Sequence, residues 1–106
     1  MGWKVIIAPS ARADLADIVR YVARHNPKAA ARLGYELITR AEKLAALPES
    51  GRVVPEFRQP NLREALCRSY RLIYRLRPSE QRIDIVRFWH AARGFPHIPR
   101  GSEAFE

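Results

Sequence analysis

The chain has 106 residues, 47% hydrophobic and 28% charged, the make-up of one compact domain: too short for two and too apolar for a wholly disordered chain. A formal net charge of +8, from 19 Lys+Arg against 11 Asp+Glu, makes the surface attractive to polyanions, either nucleic acid or an acidic protein segment. One cysteine, Cys67, excludes an internal disulfide, and the scattered His25, His90 and His97 give no Cys/His zinc set.

Taken in chain order, Trp3 to Ala8 reads as a strand, too short for a signal-peptide core. Residues 9–25 read as an amphipathic helix, because Leu15, Ile18, Val19 and Val22 follow i, i+3, i+4, i+7 spacing. Ser10 is the predicted N-cap, and Asp14 and Asp17 lie toward the positive helix end. Asn26-Pro27 marks a boundary, since Asn caps a new helix and Pro suits its first position. The second helix is predicted from Pro27 to Leu47, with Leu33, Leu37, Ile38, Ala41, Leu44 and Leu47 as its apolar stripe. So short a break predicts an antiparallel helix hairpin, and Gly34 permits close approach of its two arms.

Residues 48–61 carry three prolines and one glycine and read as a connector. Strands are predicted at Leu62 to Arg68, Tyr70 to Arg77 and Gln81 to His90, and their short breaks demand antiparallel pairing. Alternation places Tyr70, Leu72, Tyr74 and Leu76 on the face under the helices. Arg71, Ile73, Arg75 and Arg77 fall on the other face, predicted to be a bare, guanidinium-rich surface. Residues 91–106 read as an irregular tail, in which Phe95, Phe105 and the prolines either contact a partner or stay disordered. The predicted class is α+β, one domain over 1–106, with a β-α-α-β-β-β order and the helix hairpin on one face of an antiparallel sheet. No apolar run is long enough to span a bilayer, and no cofactor, metal or membrane contact is expected.

These residues resemble the RelE/ParE superfamily of toxins from bacterial type II toxin–antitoxin modules. The resemblance rests on Asp14-Leu15-Ala16-Asp17-Ile18-Val19-Arg20-Tyr21, Asn26-Pro27-Lys28-Ala29-Ala30, the Leu47-to-Glu56 segment, Leu62-Arg63-Glu64, Tyr70-Arg71-Leu72-Ile73-Tyr74-Arg75 and His90-Ala91-Ala92-Arg93. It implies a cytoplasmic growth inhibitor of the plasmid-stabilisation type. Its partner would be a cognate antitoxin packed on the hairpin and sheet, and operator DNA would be bound only through the antitoxin. Leu15, Ile18, Val22, Leu37 and Leu44 are the candidate antitoxin contacts, and Arg52, Arg63, Arg75 and Arg93 the candidate target or nucleic-acid contacts.

The superfamily divides between toxins that cut mRNA on the ribosome and ParE-type toxins that act on DNA gyrase. Metal-free RNA cleavage needs a base, cations for the phosphorane and an acid. The resemblance assigns these to Glu56, Arg71 and His90. The strand Arg63-Glu64-Ala65-Leu66-Cys67-Arg68 lacks the paired lysines of the nuclease branch, and the long hairpin is ParE-like. The reading is therefore a ParE-like toxin acting on DNA gyrase, with a ribosome-dependent mRNA endonuclease as the alternative. Adjacent strands equally allow Arg71 to pair with Glu64 structurally, and His90 beside Trp89 to serve as a structural histidine.

Overall fold

The computed structural model describes residues 2–100. The first apolar run forms strand β1, Lys4–Ile7, and the chain turns directly into helix α1, Pro9–Ala23. Ala8 occupies the N-cap position without a side-chain cap. Ser10, the predicted cap, instead donates its hydroxyl to the Val86 carbonyl at 2.6 Å. It sits inside the helix, where it ties α1 to the sheet. Helix α2, Pro27–Lys43, begins as predicted: Asn26 accepts from the Ala29 amide and Pro27 takes the first turn. It ends at Lys43 rather than Leu47, and Leu44, Ala45 and Leu47 close a short run of turns. A Cβ at Gly34 would stand 3.2 Å from Val19 Cγ2, so the hairpin arms do meet closely there.

The sheet has five strands in the order β1-β5-β4-β3-β2. Strands β3 (Leu62–Cys67), β4 (Tyr70–Arg77) and β5 (Arg82–His90) pair antiparallel as predicted. Two features depart from the expectation. Strand β1 joins β5 in parallel, with Val5 opposite Ile83, so the sheet is mixed rather than wholly antiparallel. The helix hairpin lies between β1 and the later strands in the chain and supplies the crossover that parallel pairing requires. The connector also contributes a two-residue strand, β2, Arg52–Val53, on the outer edge of β3. That strand is too short to show any alternation.

The core divides between the two faces. Under the helices, Leu37, Ala41 and Leu44 pack with Leu72, Tyr74, Leu76, Ile83, Ile85 and Phe88. On the opposite face, Val54, Leu62, Ile73 and Val86 form a second cluster covered by Ile98. The face assignment of β4 therefore holds, but the second face is not bare. The connector and residues 94–100 lie over it, with Pro96 and Pro99 buried. The tail is irregular, as predicted, apart from a 3-10 turn at Ala91–Arg93. Its backbone is held by side chains of the sheet: Trp89 donates to the Gly94 carbonyl, Arg87 to that of His97 and Arg75 to that of Pro99. Phe105 lies outside the described residues.

The β4–β5 register slips once. Ile73 faces Arg87, but Tyr74 faces Ile85, which leaves Val86 as an extra residue in β5. Beyond this bulge the side chains of β5 exchange faces relative to a strict alternation.

Candidate functional site

The second face carries a buried ion-pair cluster. Glu64, on the central part of β3, has a side chain only 1% exposed. It accepts from Arg52 Nε at 2.6 Å and from Arg71 Nε on the adjacent strand. Arg71, 10% exposed at its side chain, also spans both oxygens of Glu56 at 3.2 Å. Phe95 of the tail lies against its guanidinium, 5.4 Å from ring centroid to Cζ, and Phe57 packs edge-on to Phe95. Burial works against the charge on Arg71, but the hydrogen bonds to Glu64 and Glu56 outweigh it and raise its pKa. Burial likewise opposes the charge on Glu56, and the bond from Arg71 prevails and lowers its pKa.

The remaining arginines of this face also have structural partners. Arg77 and Arg82 both bind Asp84, which is fully buried. Arg87 forms a two-oxygen pair with Asp14 of α1 at 2.7 Å, and Asp14 also accepts from the Phe88 amide. Arg75 lies under the tail and has its pKa lowered, chiefly by burial and then by neighbouring Arg77.

The residues assigned to acid–base chemistry do not converge. Arg71 and Glu56 meet, but His90 lies on the helix side of the sheet. There it pairs in register with Tyr70, its ring edge-on at 5.2 Å, and its Nδ1 accepts from the Ala92 amide at 3.1 Å. The sheet separates it from the Arg71 guanidinium, and both remaining partners of Arg71 are carboxylates.

Of the candidate target contacts, Arg52 and Arg93 are exposed. Arg52 is bound to Glu64, and Arg93 stacks on Trp89 at 4.1 Å. Arg63 donates to the carbonyls of Pro60, Glu49 and Gly51, so it braces the connector. The guanidinium of Arg75 is engaged beneath Pro99.

Of the candidate antitoxin contacts, Leu15, Ile18 and Val22 keep part of their surface. Leu37 and Leu44 are 0% exposed and belong to the core, against their assignment as surface contacts. A helical stripe marks the side that is buried, and along α2 to its C-cap the sheet takes Leu37 and Leu44 completely while Leu33 and Ile38 stay half-buried. Leu15 lines an open apolar groove at the β1 edge together with Val5, Ile7, Ala16, Val19 and Ile38.

The ion pairs of Glu36 and Glu56 predict an acid response of the fold. Glu36, bound by Arg68 across from β3, has its pKa lowered, first by that hydrogen bond. Glu56 is lowered as well. A carboxylate depressed in the folded state contributes fully above its unfolded pKa and loses that contribution as pH falls through its folded value. The urea midpoint is therefore expected to stay level above the ordinary glutamate value of 4.5 and to decline below it. Added salt should shrink the decline, because both carboxylates reach solvent. A midpoint that rises on acidification would contradict this reading.

A family model described as the ParE toxin of the type II toxin–antitoxin system parDE matches residues 5–95. Among solved structures, a chain from the chromosomal ParDE toxin–antitoxin system of P. aeruginosa is similar with a TM-score of 0.68 and 22% identity, over 83% of this chain and 95% of that one. A chain of the toxin–antitoxin complex RelBE2 from Mycobacterium tuberculosis is similar with a TM-score of 0.59 and 22% identity, over 85% and 99%. Curated proteins give no match.

Proposed function

The chain belongs to the ParE toxin family of type II toxin–antitoxin systems, and from that premise we propose that it arrests growth by binding DNA gyrase rather than by cutting RNA. The observation that carries the choice is the division of the three acid–base candidates: Arg71 and Glu56 occupy one face of the sheet and His90 the other. Nuclease chemistry needs a base, a cation and an acid around one phosphate. A guanidinium already held by two carboxylates offers little net positive charge to a phosphorane.

In the same reading, a cognate antitoxin silences the toxin by laying an apolar, acidic segment into the β1-edge groove. The net charge of +8 speeds the encounter and the groove supplies the buried area. Operator DNA is then contacted by the antitoxin.

Two assays on the purified chain decide the target. With gyrase and relaxed plasmid, saturating toxin is expected to block supercoiling or to accumulate cleaved DNA. With translating ribosomes, mRNA is expected to remain intact. Unimpaired supercoiling at saturation, or mRNA cleavage abolished by Arg71→Ala and His90→Ala, would overturn the proposal.

A further inference from the structure

Neither the buried ion pairs nor the β1-edge groove accounts for a concave region on the helix side, between the second half of α1 and the ends of β4 and β5. A cavity of about 490 Å³ there has Ile18 and Phe88 among its apolar walls and Tyr21, Arg24, His90 and Arg93 among its polar ones. A second cavity, also about 490 Å³, shares Tyr70 and His90 with the first and continues to Arg32 and Arg68. The two form one path around the Tyr70–His90 pair.

The charges along this path are unevenly neutralised. Asp14 is taken by Arg87, Asp17 by Arg20 and Glu36 by Arg68. Among the described residues, Arg24, Arg32 and Arg93 form no ion pair within contact distance, although the charge of Arg32 reaches Glu36 and helps to lower its pKa. Arg24 lies over the Tyr21 ring at 6.0 Å, whereas Arg93 stacks at 4.1 Å on Trp89, a ring outside both cavities that also carries Arg87. Tyr21 is 64% exposed and lines the first cavity, whereas the still more exposed Tyr35 lines neither. Free cations beside an exposed ring are a means by which proteins hold unpaired nucleotides, with phosphates on the former and a base on the latter, and Tyr21 is the exposed ring among those lining these cavities. A duplex keeps its bases stacked and leaves such rings unused. An acidic peptide would engage the same guanidiniums, and competition by oligoglutamate separates it from an unpaired strand.

We propose that this groove binds single-stranded nucleic acid, with phosphates on Arg24, Arg32 and Arg93 and a base stacked on Tyr21. The volume of the first cavity suits one nucleotide. Its continuation past Tyr70 and His90 suits the next along the strand.

The probe is a fluorescein-labelled oligothymidylate of about eight nucleotides, titrated with the intact chain and read by anisotropy. Binding is expected at low salt, with a log–log salt slope of about −2 for the three phosphates. Arg24→Gln and Arg93→Gln should each flatten that slope by about 0.7. Tyr21→Ala should weaken binding by about 5- to 150-fold, and an unchanged thermal melt checks that this exposed position leaves the fold intact. Lys43→Gln, at the far end of α2, should leave the slope as it was.

Absence of binding at low salt would overturn the proposal. So would equal binding of the matching duplex, displacement of the probe by oligoglutamate as effectively as by unlabelled oligothymidylate, or a Lys43→Gln loss equal to that of Arg24→Gln. The assay contains no gyrase, so a failed supercoiling assay leaves this inference standing, and the reverse also holds.

Discussion

Replacing Glu64 by alanine is expected to destabilise the folded chain by about 3 kcal/mol and to lower its melting temperature by roughly 10–20 °C. The carboxylate is 1% exposed at the side chain and receives Arg52 and Arg71. Removing it leaves the Arg71 guanidinium, itself 10% exposed and set against Phe95, with one of its two counterions. A buried charge that loses its partner costs far more than an exposed one, because neither water nor a second counterion replaces the lost field. Glu56 still holds the other side of Arg71, which puts the expected loss at the lower end for such pairs. The measurement is a urea denaturation, in which the midpoint should fall at unchanged slope. The double variant Glu64→Leu with Arg71→Met should recover most of the loss, since a well-packed apolar pair replaces the ions. A loss below about 1 kcal/mol for Glu64→Ala is what an ordinary surface bridge would give, and it would overturn this account of the cluster.

A second large effect is expected at the β1-edge groove. Ala16 is exposed on α1 and lines the apolar floor beside Leu15 and Val19. Glutamate there keeps the helix, because it is a good helix former and the site is open. It also fills the groove and sets a negative charge against an acidic partner. Affinity for the antitoxin, the product of a short reading frame expected beside this gene, should fall by about 30- to 1,000-fold, the range for losing a central interface position. Calorimetry or surface binding reads the change. In cells, the Ala16→Glu toxin should arrest growth even when the antitoxin is co-expressed. Neutralisation at the wild-type level would move antitoxin docking away from this groove.

Much of the local structure was legible in the residues. Asn26-Pro27 marked the start of α2 because the cap and the fixed proline φ act through neighbouring atoms only. The Tyr70-to-Arg77 alternation divided its side chains between the faces correctly, because the pleat enforces a period of two. The ion pair of Arg71 with Glu64, one of the two readings the sequence allowed, is a diagonal contact on one face, since Arg71 stands opposite Leu66. Residues acting at a distance were less legible. Asp14 reads as a helix-dipole residue, yet it binds Arg87 and the Phe88 amide more than seventy positions away. Nothing periodic in residues 94–100 announces that they cover the second face, because their contacts are made by carbonyls and prolines.

The sequence by itself determined the helix hairpin, the three antiparallel strands and the family, all of which rest on short-range patterns and their order. Only the tertiary structure decided what the arginines and His90 face. Strict alternation from Ile83 would send His90 to the side of Arg71, but the extra residue at Val86 turns it to the helix side. One bulge, invisible in composition and spacing, therefore separates groups that the motif alone would have joined. The second face is closed for the same kind of reason: whether a guanidinium meets water or a buried carboxylate depends on which distant segment folds over it.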